Sequence, residues 1–173
     1  IEVGYKELTI PPDEDGSHKL DKHSFHIWPM GKFMLIAMPN LDGSFTCTLF
    51  LPFEGSVSFQ HLTTEKDAKQ FFTTYFPNVG KEIENLTKDF FTNPTSAMVT
   101  MKCYPWTYWD KVALVGDSAH AVVPFYGQGM NAGFEDIYEL DTLMATYGDD
   151  WEGIFTTYQK NRKPNADAIA ELS

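Results

Sequence analysis

Val112-Ala-Leu-Val-Gly-Asp117-Ser-Ala-His120-Ala-Val-Val-Pro-Phe-Tyr-Gly-Gln-Gly-Met-Asn-Ala-Gly-Phe-Glu-Asp136 is the stretch on which the reading of this chain turns. A short apolar run, Lys111 to Val115, reads as a buried strand that ends on Gly116-Asp117. Ligands of open α/β sheets bind at the carboxyl ends of strands. Gly116 lets backbone approach a ligand closely, and an ionised Asp117 accepts hydrogen bonds from the hydroxyls of a sugar or ribityl chain. A loop containing proline and glycine, Pro124 to Gly129, follows. A helix is then predicted from about Met130 to Tyr147, stopping at Gly148. Its first N–H groups have no partner within the helix and form a site for negative charge. Each piece alone is weak, but in this order they are specific.

Gly127-Gln-Gly129-Met-Asn-Ala132 matches the dinucleotide fingerprint G-x-G-x-x-[GA] letter by letter. Its context is wrong, because the fingerprint needs a strand immediately before it and an acid-ended strand about 20 residues later. Here a proline loop precedes and two helices follow. His120 lies close to Ser118 and Asp117, but a nucleophilic triad is assembled in space and the cluster lacks an elbow motif, so a structural histidine is expected. His18, His23 and His26 lack a convincing metal partner, and no Cys/His spacing suits a metal. No catalytic side chain and no metal ligand is assigned.

Outward from this stretch, a second helix begins near Asp150, with Trp151, Ile154, Phe155 and Tyr158 at helical spacing. Pro164 is placed at the start of a continuing or bent helix. Toward the N-terminus the pattern turns β-rich. Tyr5–Ile10 alternates and stops at Pro11-Pro12, and Ser24–Trp28 is a further strand-like run. Phe33–Met38, the Asp42-Gly43 turn and Ser44–Phe50 read as an antiparallel hairpin. Phe45, Cys47 and Leu49 fall on one face of it and Thr46, Thr48 and Phe50 on the other. Thr64 with Asp67 is a loose capping box, opening a helix whose stripe Phe71, Phe72, Tyr75 and Phe76 is core, and Pro77 ends it. Ala97–Cys103, rich in Val, Met and Thr, is another strand candidate.

The 173 residues are 43% hydrophobic and 21% charged, ordinary for a globular protein, with a net charge of -11. So acidic a chain repels phosphate backbones and anionic lipid, which argues against a nucleic-acid partner. No apolar run approaches the roughly 20 residues that span a bilayer. Two distant cysteines fit a reducing compartment. The first residue is Ile, and the chain is expected to begin inside a longer protein.

The Gly116–Asp136 stretch resembles the second flavin motif of the class A FAD-dependent aromatic hydroxylases: a Gly-Asp pair, an Ala-His step and a Pro-x-x-Gly-x-Gly loop. Within that class it is most similar to the kynurenine 3-monooxygenase family, through Val123-Pro124-Phe125, Gly127–Asn131 and Phe134-Glu135-Asp136. His26-Ile-Trp-Pro29, Phe33–Ala37, Pro39-Asn40 and Asp42–Phe50 agree as well, so the likeness covers nearly the whole chain. Met30 stands where the family usually has Arg, Ser118 replaces Ala and Ile137 replaces a frequent Cys.

The resemblance implies an α+β fold. An antiparallel-rich substrate-binding sheet with a helix would occupy 1–104. The C-terminal strand-helix-helix part of a Gly-x-Gly-x-x-Gly-type FAD-binding α/β domain would occupy 105–173. It implies FAD and NADPH as cofactors, and L-kynurenine and O2 as partners that yield 3-hydroxykynurenine through a flavin hydroperoxide. Gly116, Asp117, Pro124, Gly127, Gln128, Gly129, Met130 and Asn131 would bind the cofactor. Asp117 would hold the ribityl chain, and the Met130 and Asn131 N–H groups the pyrimidine edge. Met34, Ile36, Met38 and Phe50 from the hairpin, with Phe125, Tyr126 and Gln128 from the loop, would face the substrate. The family's N-terminal pyrophosphate loop lies outside these residues, so the chain is expected to be a central to C-terminal fragment that needs the missing N-terminal part of the same enzyme. The implied location is cytoplasmic, or the mitochondrial outer membrane for a eukaryotic member with a C-terminal anchor. Two alternatives stay open: a related flavin hydroxylase of another aromatic acid, and a non-catalytic module that binds aromatic ligands.

Overall fold

The Asp42-Gly43 turn closes the expected hairpin. Gly43 sits at φ +89°, and the Asn40 N–H donates to the Ser44 carbonyl at 2.8 Å. In the computed structural model, which describes residues 2–172, the first half of the chain contains strands β1 (Val3–Ile10), β2 (His26–Pro29), β3 (Met34–Pro39) and β4 (Phe45–Pro52), helices α1 (Glu65–Tyr75) and α2 (Leu86–Thr92), and the short strand β5 (Ser96–Ala97). The strands form one antiparallel sheet in the order β2-β3-β4-β1-β5. The second half contains β6 (Thr107–Tyr108), β7 (Val112–Ala113), α3 (Asp117–His120), α4 (Gly129–Tyr147) and α5 (Trp151–Leu172). Contacts divide the chain into two compact units, Ile1–Met98 and Val99–Ser173.

In the first unit, strand alternation sorts the side chains as the pattern requires. Leu35, Ala37, Phe45, Cys47, Leu49 and Leu51 are fully buried on one face, under the Phe71, Phe72 and Phe76 stripe of α1 and Phe90 of α2. Each such aromatic contributes on the order of 1.5–3 kcal/mol by leaving water. The capping box is real: the Thr64 N–H donates to Asp67 at 2.9 Å and the Asp67 N–H to the Thr64 hydroxyl at 3.2 Å. Burial pushes the Cys47 thiol up to about 12, so it packs as an inert apolar group.

Four expectations need correction. Of the Ala97–Cys103 candidate only Ala97 lies in a strand, the two-residue β5 (Ser96–Ala97) paired with Gly4 and Tyr5. Past it the Met101 N–H donates to the Ala121 carbonyl instead, and β-prone composition without a strand to pair with does not make a strand. The Lys111–Val115 segment is not a buried strand over its whole length. Only Val112–Ala113 is extended, antiparallel to Thr107–Tyr108, and Val112 is 51% exposed. One strand and two helices were expected after residue 104, where two strands and three helices are present. Pro164 starts nothing, because it lies inside the continuous α5. The ring is exposed there, and the buried stripe Ile154, Tyr158, Arg162 and Ala166 holds the helix on both sides of it.

Lys6 went unremarked in the sequence, yet among the described residues it is the one lysine buried on the core face of the sheet, 4% exposed. Its ammonium donates to the carbonyls of Phe90 (2.7 Å) and Asn93 (2.8 Å) and lies 4.9 Å from the Phe90 ring centroid. A cation thus closes the C-terminal end of α2, where the helix presents unpaired carbonyls. Burial lowers the Lys6 pKa. Lys6→Met keeps the stem's volume and orphans both carbonyls. It should destabilise the first unit by about 1–3 kcal/mol and raise amide exchange in residues 86–93 first. Unchanged denaturant midpoint and exchange would refute this role.

Candidate functional site

Residues 112–136 fold into a tight knot around one carboxylate. Gly116 links β7 to α3 with φ +61° and ψ -139°, a conformation open in practice only to glycine. A Cβ at Gly133 would lie 3.8 Å from the Gly116 Cα, so α4 crosses backbone against backbone where β7 hands over to α3. Ser118, the departure from Ala, ties the same turn: its hydroxyl donates to the Val115 carbonyl (2.7 Å) and accepts from the Val115 N–H (3.1 Å).

Asp117 points elsewhere. It is exposed and forms no hydrogen bond or ion pair among the described residues. A Cβ at Gly129 would lie 4.0 Å from its Oδ1, so the carboxylate stands beside the first turn of α4. That turn opens on Gln128 without a side-chain cap, leaving its N–H groups available. The loop before it is a 3-10 turn, Pro124–Tyr126, closed by Gly127 in the left-handed region (φ +61°, ψ 24°) with its N–H on the Pro124 carbonyl. Gln128 bridges the Tyr126 carbonyl and the Asn131 amide. The fold thus brings Gly116 and Asp117 together with Gly129 of the 124–131 loop and helix start. It also disposes of the literal Gly127–Ala132 fingerprint, which follows a 3-10 turn and precedes two helices.

The residue that sequence reasoning passed over is Asp136, fully buried on α4. Its Oδ2 accepts from the Gly116 N–H at 3.0 Å and from His120 Nε2 at 2.6 Å, and its Oδ1 from Arg162 Nε at 2.8 Å. Arg162, also buried, reaches the Ala132 carbonyl and Glu135. Burial pushes the Asp136 carboxyl up, but the bonds from His120, Arg162 and Gly116 outweigh it and hold the value down at about 2. Because the folded-state value is depressed, the stability it contributes is present above the ordinary 3.8 and is lost as pH falls toward about 2. His120 is accordingly a structural histidine, packed on Trp106 at 5.1 Å between ring centroids. The signal was available: Ala132, Asp136 and Leu143 share one helical stripe, and an acid on a buried stripe needs partners.

In the first unit, Met34, Ile36 and Met38 alternate away from the helix-covered face. The register pairs Met34 with Phe50, Ile36 with Thr48 and Met38 with Thr46. Met34 and Ile36 are half-buried, Met38 is exposed and Phe50 is buried, and Phe50 contacts the Tyr5 ring. Phe125, Tyr126 and Gln128 are exposed in the second unit. Among the described residues no His, Cys, Asp and Glu cluster could hold a metal ion, and no helix is long and apolar enough to cross a membrane.

Comparison with known proteins follows the same lines. The chain is 70% identical over its whole length to the kynurenine 3-monooxygenase of Christiangramia forsetii, covering 39% of that protein. It is 52% identical to that of Dictyostelium discoideum, covering 40%, and 45% identical to that of Sus scrofa, covering 36%, with all of this chain matched in both cases. The chain therefore spans about two-fifths of the length of these relatives. Among solved structures, 2-methyl-3-hydroxypyridine-5-carboxylic acid oxygenase matches all of this chain and 46% of its own, at TM-score 0.80 and 20% identity. Pseudomonas aeruginosa PqsL matches 99% and 46% at TM-score 0.74 and 17% identity. At those identities the likeness is one of fold, a mixed α/β architecture with an antiparallel sheet. The model of the FAD binding domain family matches residues 61–173, and the chain belongs to that family.

Proposed function

We propose that the chain is part of an FAD- and NADPH-dependent monooxygenase that converts L-kynurenine and O2 to 3-hydroxykynurenine. The observation that carries this is the free Asp117 carboxylate standing beside the uncapped start of α4, in a chain 70% identical to a kynurenine 3-monooxygenase. The donor set fits the cofactor: acceptor oxygens for ribityl hydroxyls, and backbone N–H groups for an electron-rich ring edge. When bound, FAD would supply the redox chemistry, taking hydride from NADPH and activating O2.

The chain's own residues bind, orient and keep water out. Asp117 accepts from ribityl hydroxyls. Gly116 and Gly127 adopt backbone conformations that bring peptide groups close to the cofactor. Pro124, Gln128 and Gly129 shape the loop, and Met130 and Asn131 offer N–H groups at the positive end of α4, where negative charge on the ring is stabilised. Phe125, Tyr126 and Gln128 border the substrate, and Met34, Ile36, Met38 and Phe50 form an apolar wall that excludes water. No side chain is needed as a general base, since the aniline nitrogen of L-kynurenine activates its own ring. Residues 1–104 would then be the substrate-binding part and 105–173 the second flavin segment. We place the pyrophosphate-binding Gly-x-Gly-x-x-Gly loop in the part of the relatives' length that this chain does not span.

Full-length protein supplied with NADPH and L-kynurenine should consume NADPH and form 3-hydroxykynurenine, followed by chromatography. Product from a different aromatic acid alone would move the substrate assignment. Asp117→Ala removes a charged acceptor worth about 1.5–3 kcal/mol and should weaken FAD binding roughly ten- to a hundredfold in a fluorescence titration. Undiminished FAD retention on dilution would count against it. Ile36→Asn puts an amide into the apolar wall at about 1–3 kcal/mol. It should raise KM for L-kynurenine roughly tenfold or more while FAD affinity stays unchanged, and an unaltered KM would remove Ile36 from the wall.

A further inference from the structure

A buried carboxylate, guanidinium and imidazole are a costly way to fill a core, because apolar residues of similar volume usually serve stability as well or better. The second unit already has an apolar cluster that includes Trp106, Leu143, Ile154 and Tyr158. Asp136 does one thing that no apolar side chain can do: it binds the Gly116 N–H. That amide precedes α3 and has no carbonyl partner in the turn, and its acceptor is the buried Asp136 carboxylate. The peptide plane before Gly116 sets the direction in which α3 starts, and Asp117 is the first residue of α3.

Resting on the flavin reading above, the geometry points to Asp136 as a positioning residue. Gripped by His120 and Arg162, it fixes the Gly116 peptide and so aims Asp117 at the ribityl chain, without touching the cofactor itself. The bracing around it is complete. Arg162 is anchored at its other nitrogens by the Ala132 carbonyl and Glu135. His120 is packed against Trp106, whose indole N–H donates to the Cys103 carbonyl at 3.1 Å. Gly116 therefore hangs from two long helices, α4 through Asp136 and α5 through Arg162. The turn's own bonds, between Ser118 and Val115 and from the Ala119 and His120 N–H groups to the Gly116 carbonyl, do not use the Gly116 N–H.

The test is a double-mutant cycle on FAD affinity in the full-length protein, with apoprotein melting recorded for every variant. Asp136→Asn should weaken FAD binding roughly tenfold at temperatures where the apoprotein is fully folded. Combined with Asp117→Ala it should weaken binding no further than Asp117→Ala alone, because Asp136 acts through Asp117. His120→Gln, which keeps an N–H donor toward Asp136, should retain near-native affinity. If Asp136→Asn does not fold, His120→Leu takes its place in the cycle with a smaller loss and the same non-additivity. A melting shift with unchanged FAD affinity, or strictly additive losses, overturns the positioning role. Loss of FAD in Asp117→Ala alone overturns that role and leaves the flavin reading standing, whereas no loss in either variant overturns both.

Discussion

The carboxylate of Asp136 holds the second unit together at the point where its elements converge. One oxygen takes the Gly116 amide and the His120 imidazole, and the other takes the Arg162 guanidinium. Through these bonds α4, α5, α3 and the β7 turn are fastened to one another. A buried charge tolerates no lost partner: an unpaired ion in a dry interior costs far more than a missing methyl group. The same demand that makes the cluster unforgiving makes it a good ruler for the backbone beside it.

A similar device works in the first unit at smaller scale. Lys6 reaches across the covered face of the sheet to the carbonyls at the end of α2, and Asn93 reaches back to the Glu7 carbonyl at 2.8 Å. Apolar packing of α1 and α2 on the sheet supplies most of the stabilisation, but it is non-directional. The polar contacts settle where α2 ends. With one face committed to this core, the Met34, Ile36 and Met38 row faces the other way, and period-two geometry alone separates the two faces.

Much of this was legible before any coordinates. The Asp42-Gly43 hairpin, the Thr64 cap, the aromatic stripe of α1 and the stop of α4 at Gly148 are local signals, each set by a few neighbouring residues. The resemblance to flavin hydroxylases rested likewise on contiguous motifs. What failed were segments whose structure depends on a distant partner. Val99 to Cys103 has strand composition but no strand to pair with. Val112–Ala113 pairs within its own hairpin. Pro164 is carried through a helix by the burial of its neighbours.

By itself the sequence determined the hairpin and its two faces, the helices α1, α4 and α5, and the motif order Gly116-Asp117 before Gly127–Asn131, because these follow from backbone periodicity and turn chemistry over short spans. Only the tertiary structure decided that Gly116, His120, Asp136 and Arg162 meet, and that Asp117 stands free beside Gly129. Those contacts gather residues spread over 46 positions of the sequence, from Gly116 to Arg162. The bonds that select them exist only once two helices and a turn have excluded water from one carboxylate.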